Sequence, residues 1–144
     1  MNPEAAHELL AEVAASWVAD PQSDVVWSGE FEGRHGVRVA QQVRDFTTVW
    51  FDVGDRTLGY EAYVTPAPPY NREEVYRQCL VRNAAGWRVR FAVDAEGALF
   101  LRGRIPLDHL DGVELDAILG AIYDMIEVSF PGIIRSGFVR EKSP

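Results

Sequence analysis

The chain predicts an α+β domain of two layers: a five-stranded antiparallel sheet with helices on one face, in the order α-β-β-β-α-β-β-α. Three observations carry this. Segments between Val37 and Ile105 alternate apolar and polar residues with a period of two, as half-buried strands do. Three stretches repeat apolar residues at helical spacing. The strands show one apolar face, so the helices have one face to cover.

The first helix starts at Asn2-Pro3-Glu4, with a capping side chain, proline at the first helical position and an early acid. Leu9, Leu10, Val13, Trp17 and Val18 form its apolar side, and Pro21 ends it. Residues 20–36 read as part strand and part loop. Val25, Trp27, Gly29 and Phe31 alternate like an edge strand, while Ser23, Gly29, Gly33 and Gly36 look like loop, so this segment stays outside the strand count.

The first counted strand has Val37, Val39 and Val43 against Arg38, Gln42 and Arg44. The second turns Thr47, Val49, Phe51 and Val53 inward. The third runs from Leu58 to Val64, joined to the second through Gly54-Asp55-Arg56 with Val53 opposite Leu58. Pro66-Ala67-Pro68-Pro69 forces the chain out of the sheet. Asn71 and Glu74 have capping-box spacing, and Val75, Tyr76, Cys79 and Leu80 form the buried side of a second helix.

Trp87–Ile105 reads as a hairpin. Setting Trp87, Val89, Phe91 and Val93 on the face of Leu99, Leu101 and Ile105 requires a three-residue loop with a left-handed residue, and Gly97 stands at that place. Asp111 and Glu114 open the third helix through Leu115, Ile118, Leu119, Ile122, Ile126 and Phe130. Pro131-Gly132 is expected to break it, leaving residues 133–139 as a docked tail and 140–144 as a frayed end. If the sheet is wholly antiparallel, the strand order is 1-2-3-5-4. No repeat, low-complexity tract or boundary divides the 144 residues, which read as one domain.

Function is less legible. A formal charge of −8 disfavours nucleic acid and anionic membranes as partners. A single cysteine fits a reducing compartment, and Met1-Asn2-Pro3-Glu4 lacks the features of a signal peptide, so a cytoplasmic protein is expected. Cys79 reads as a small buried hydrophobe. His7, His35 and His109 lie at no ligand spacing, so no metal is expected. There is no glycine-rich phosphate cradle, dinucleotide fingerprint or nucleophile elbow. No cofactor and no catalytic residue is assigned, and the chain reads as a non-enzyme.

The hairpin register does create one constellation. Arg90 falls opposite Arg102, and Arg88 opposite Arg104, on an outer face shared with Trp50, Tyr63 and Phe100. Like charges across a ladder are unfavourable by a few tenths to about 1 kcal/mol each. Either Glu61 and Asp52 neutralise them as ordinary surface, or the face accepts an acidic partner or a small anion.

The residues Thr47-Thr48-Val49-Trp50-Phe51, Glu61-Ala62-Tyr63, Pro66-Ala67-Pro68, Asn71-Arg72-Glu73-Glu74-Val75-Tyr76-Arg77, Arg82-Asn83, Arg90-Phe91-Ala92-Val93-Asp94, Gly97 and Leu115-Asp116 to Ile122-Tyr123 carry a family likeness. Over residues 37–138 the chain resembles actinobacterial YbjN-domain proteins, of a superfamily similar in fold to type III secretion chaperones. The resemblance implies a homodimer that binds an unidentified protein partner, chaperone-like or regulatory, with no catalytic residues to carry over. The alternative is a small-anion or nucleotide-sensing domain using the arginine cluster.

Overall fold

Asn2 and Pro3 start the first helix as their chemistry requires: the Asn2 side chain accepts a hydrogen bond from the Ala5 amide at 2.8 Å. Helix α1 (Pro3–Ala19) turns Ala6, Leu10, Ala14 and Trp17 into the core. In this computed structural model, which describes residues 1–140, it is followed by β1 (Val25–Phe31), β2 (Arg34–Ala40), β3 (Phe46–Val53), β4 (Thr57–Thr65), α2 (Arg72–Arg82), β5 (Arg90–Val93), β6 (Leu99–Pro106) and α3 (Gly112–Gly137). The part of the expected frayed end beyond residue 140 lies outside the described residues.

Among the described residues the sheet has six antiparallel strands in the order β1-β2-β3-β4-β6-β5, which corrects the expected count of five and the element order by one added strand, while the five counted strands keep the relative order 1-2-3-5-4. The additional strand is β1. Glu32 and Gly33 both have positive φ, the requirement of a tight two-residue hairpin turn, and they fold β1 back on β2 with Phe31 opposite Arg34. A bulge between Val25 and Trp27 changes the facing of the strand. Val25 is buried, while Trp27, Gly29 and Phe31 pair with Arg38, Gly36 and Arg34 on the far side. The glycines that read as loop are therefore ladder positions.

Strand β2 ends at Ala40, short of the expected Arg44. The Glu127 carboxylate on α3 accepts from the Gln41 side chain at 2.7 Å and from the Gln42 and Val43 amides at 3.1 and 3.3 Å. These bonds replace a ladder for residues 41–43, which keep their alternating pattern without being strand. Arg44 bends inward and donates to the Val64 and Tyr63 carbonyls at 2.6 and 2.8 Å.

The hairpin register is set at Gly97, whose φ is +89°. Asp94 accepts from the Gly97 amide, its side chain accepts from Glu96 and Ala98, and Val93 pairs with Leu99. The outer end of the hairpin differs from expectation. Strand β5 begins only at Arg90, because the Tyr60 hydroxyl takes the Arg88 carbonyl at 2.6 Å and draws the chain off the ladder. Val89 and Phe91 are buried as expected, whereas Trp87 is 61% exposed and Val93 is also exposed.

Two helix expectations also change. Asn71 does not cap α2: it is left-handed, and its side-chain amide donates to the Ser136 carbonyl instead. Leu80 is 68% exposed, so α2 contributes chiefly Val75 and Cys79 to the core. Pro131 does not break α3, which runs on to Gly137. An interior proline costs about 3 kcal/mol. Full burial of Ile133, worth about 1.5–3 kcal/mol, and partial burial of Phe130 and Phe138 offset it. By length and hydropathy α3 could span a membrane, but Leu115, Ile118, Ile122, Ile126 and Ile133 point into the core against the sheet.

The core lies between the three helices and Val37, Val49, Phe51, Leu58, Leu99, Leu101 and Ile105 of the sheet. Under α1, His35 is buried with its Nε2 3.1 Å from His7 Nδ1 and 3.3 Å from Glu30 Oε1. Burial lowers the His35 pKa below the ordinary 6.5; Glu30 pulls it up and His7 pushes it further down.

Two outcomes are expected from this packing. A Cβ at position 97 would lie 2.9 Å from the Tyr76 hydroxyl and 3.1 Å from the Ala67 side chain, whereas nothing lies within 4 Å of one at Gly33, also left-handed. Gly97→Ala should therefore lose about 1–2 kcal/mol or more in urea denaturation, and Gly33→Asn should stay near zero. For His35, the unfolded chain binds the proton more readily than the folded one. Its contribution to stability is thus complete above the ordinary pKa and declines as pH falls through the lowered folded value. Denaturation midpoints measured between about pH 7.5 and 5 should fall less steeply in His35→Gln than in the parent.

Candidate functional site

Because all three helices lie on one side, the other side of the sheet is uncovered among the described residues. Strand alternation then dictates what it shows. Trp27 and Phe31 come from β1, Arg34 and Arg38 from β2, Phe46, Trp50 and Asp52 from β3, Glu61 and Tyr63 from β4, Phe100, Arg102 and Arg104 from β6, and Arg90 from β5. Five arginines thus stand against two carboxylates on this face, in a chain whose formal charge is −8.

The aromatic rings lie down on the sheet. Trp27 covers Gly29, and both Trp27 and Trp50 cover Gly36, where an added Cβ would sit 2.7 Å from Trp50 and 3.1 Å from Trp27. Arginines stack on the rings: Arg34 is 4.9 Å from the Trp50 centroid, and Arg38 lies between Trp27 and Phe46 at 5.3 and 4.5 Å. Arg102 is 5.2 Å from the Phe100 centroid, and Tyr63 meets Phe100 edge to face. Phe31 remains 58% and Tyr63 49% exposed.

Glu61 divides the face. It accepts from Arg102 at 3.1 Å and lies 3.7 Å from Arg34. On one side is a shallow hollow of about 340 Å³ floored by Thr48 and walled by Phe46, Tyr63 and Phe100. On the other is a larger cleft of about 820 Å³ between Trp50 and Trp87, into which Arg90 and Arg104 project.

Six of the seven residues that the sequence nominated, Trp50, Tyr63, Arg90, Phe100, Arg102 and Arg104, share this face. Arg88 does not. Its guanidinium turns toward α3 and grips Glu114 with two bonds of 3.0 and 3.2 Å, and that pairing holds it firmly charged. Of the two carboxylates expected to neutralise the arginines, Glu61 does so; Asp52 has no arginine within 4.0 Å among the described residues. Sequence reasoning did not nominate Trp27, Phe31, Arg34, Arg38 and Phe46: the facing of Trp27 and Phe31 depends on the β1 bulge and that of Arg34 on the Glu32-Gly33 turn, whereas Arg38 and Phe46 stand on the outer side of the alternation read from Val37, Val39 and Thr47. It also missed Trp87, which leaves the ladder.

Cys79 is buried, and burial pushes its thiol up to about 11, which keeps it protonated and inert. No three His, Cys, Asp or Glu side chains form a metal-binding group among the described residues. The arrangement suits noncovalent capture of something anionic that also carries rings or apolar groups.

Comparison with known proteins agrees with the likeness seen in the sequence. The profile of the YbjN family, described as "Putative bacterial sensory transduction regulator", matches residues 14–135. The chain belongs to the YbjN family. Uncharacterized protein Rv0487 of Mycobacterium tuberculosis is 34% identical over 86 residues, covering 60% of this chain and 47% of that protein. Uncharacterized protein ML2442 of Mycobacterium leprae is 33% identical over 92 residues, 64% of this chain and 50% of its own. The chain thus spans about half the length of the curated relatives it matches. Among solved structures, the Yersinia pestis type III secretion chaperone SycH, determined in complex with a fragment of YscM2, superposes with a TM-score of 0.53 at 13% identity. The match covers 83% of this chain and 98% of SycH, so this YbjN domain has the secretion-chaperone fold.

The bare face depends on Gly36. Gly36→Ala should lift the Trp27 and Trp50 rings, cost about 1–3 kcal/mol in chemical denaturation, and shift the tryptophan emission spectrum of the folded protein. An unchanged spectrum would contradict the described ring packing.

Proposed function

We propose that this YbjN-family protein is a non-enzymatic protein-binding module, chaperone-like or regulatory, that holds an acidic segment of a partner protein on its uncovered sheet face. The observation that carries this reading is the charge of that face. Its arginines outnumber its carboxylates five to two while the rest of the chain is strongly acidic. An acidic partner is attracted there and repelled elsewhere, which fixes orientation as well as affinity. The rings of Trp27, Phe31, Phe46 and Tyr63 provide area for apolar side chains of the same segment, and aromatic and arginine anchors are what interface centres contain. SycH, a chaperone that shares the fold, was solved with a protein fragment bound, which supports the same class of role here.

The working unit in this reading is a cytoplasmic homodimer. Its support is exposed apolar side chains beside grooves between the helices: Val128 on α3 lines one of about 450 Å³ and Val81 on α2 one of about 620 Å³. A second copy would cover these side chains and leave the sheet face open.

Selection from a library of short random peptides tests the first part. Enrichment of Asp and Glu together with aromatic residues is expected. Binding of the selected peptides should weaken with salt and fall about tenfold or more in Arg38→Glu and Trp50→Ala. Peptides without acidic residues, or affinity indifferent to both substitutions, would sink the reading. Sedimentation equilibrium tests the second part: a dimer converted to monomer by Val128→Glu is expected, and a monomeric parent at every concentration reached would refute it.

A further inference from the structure

The larger cleft contains more positive charge than the face needs to hold itself together. Glu61 is engaged by Arg102 and Arg34, whereas Arg90 and Arg104 have no carboxylate within 4.0 Å among the described residues. Arg90 is nevertheless placed directly opposite Arg102 on the β5–β6 ladder, and Arg104 follows two residues along the same face. Direct cross-strand juxtaposition of like charges is unfavourable. A bound anion would convert that cost into attraction, because guanidinium forks fit phosphate oxygens two at a time.

Charge is one part of the cleft; its walls and floor specify the remainder. Trp50 and the 61%-exposed Trp87 flank it, each backed by an arginine at 4.9 or 4.5 Å from its ring centroid. The floor is low at Gly59, where even an added Cβ would touch only the Asp52 carbonyl, at 3.9 Å. Asp52 itself lines the cleft with no cationic partner within 4.0 Å among the described residues. A carboxylate there repels a bare phosphate but accepts hydrogen bonds from an amino group or from ribose hydroxyls. The volume of about 820 Å³ lies within the range of small-molecule sites.

We propose that this cleft binds a nucleoside phosphate, with the phosphates on Arg90 and Arg104, the base against the exposed face of Trp87, and an amino or sugar hydroxyl donor on Asp52. The proposal goes beyond the protein-binding reading and does not depend on it: Trp27, Phe46 and Tyr63 lie on the other side of the Glu61 divide. Base stacking on tryptophan tolerates any base, so the ligand is specified by class.

Thermal shift and tryptophan-fluorescence titration of the full chain, without divalent cations, test it with ATP, GTP, inorganic tripolyphosphate and adenosine. ATP or GTP should raise the unfolding midpoint and quench fluorescence saturably, more tightly than either tripolyphosphate or adenosine. Arg90→Gln and Arg104→Gln should each weaken that binding about tenfold or more, while Arg77→Gln on α2, where Arg77 pairs with Glu74, should leave it unchanged. Trp87→Ala should remove the advantage over tripolyphosphate. No saturable response to either nucleotide would overturn the proposal. So would tripolyphosphate binding as tightly as ATP, or binding insensitive to both arginine substitutions. Peptide binding to the Phe46–Tyr63 side, measured on Trp87→Ala, which keeps all five arginines of the face, is expected to persist, so failure of one reading is distinguishable from failure of the other.

Discussion

Val49, Phe51, Leu58, Leu99 and Leu101 are each fully buried, and they come from three neighbouring strands that all turn the same side to the helices. That one-sided burial decides the rest. With a side-chain period of two, every residue between these positions must point away from the core, whatever its own preference for water. Trp50 lies between Val49 and Phe51, Glu61 between Tyr60 and Ala62, and Phe100 and Arg102 on either side of Leu101. A slip of one residue would drive Arg102 into the core, where an unpaired guanidinium costs several kcal/mol, roughly. The outer face is therefore as strictly specified as the core.

The first hairpin shows how large rings can be left outside without a penalty in order. A glycine pair at Gly29 and Gly36 removes two side chains from the outer ladder, and the indoles of Trp27 and Trp50 fill the space. Glycine in a strand costs backbone entropy, and an overlying aromatic ring compensates by shielding the ladder. The device fixes the rings flat and lets Arg34 and Arg38 stack on them. In the sequence, the same glycines look like loop punctuation. Recognising them as strand requires knowing that a bulge follows Val25, and bulges depend on the partner strand.

What could be read from the sequence was local, and what could not was set by distant contacts. The Gly97 turn was legible because its left-handed residue lies beside the alternation it registers, and the pairings of Val93 with Leu99 and Val53 with Leu58 follow. The outward group of Trp50, Tyr63, Phe100, Arg90, Arg102 and Arg104 was legible for the same reason. Arg88 was misplaced because its position is decided by Tyr60 and Glu114, 28 and 26 residues away. The strand end at Ala40 is decided by Glu127, across the domain. Pro131 reads as a stop only if the packing of Ile133 is left out, and Asn71 reads as a cap only if Ser136 is. Each of these is a tertiary contact prevailing over a sound local preference.

The separation of charge between the two sides bears on how any acidic partner would arrive. In salt near physiological strength the screening length is about 8 Å, so at longer range the partner senses little of either side. Within that distance the arginine face attracts while the acidic remainder repels, and encounters in the wrong orientation are rejected before contact. Once seated, the stacked guanidiniums are desolvated on one side by Trp27, Trp50, Phe46 and Phe100, so each can give a carboxylate more than an exposed lysine would. Such pairing needs the rings in place first. The glycines beneath Trp27 and Trp50 are thus as much a part of the proposed binding surface as the arginines above.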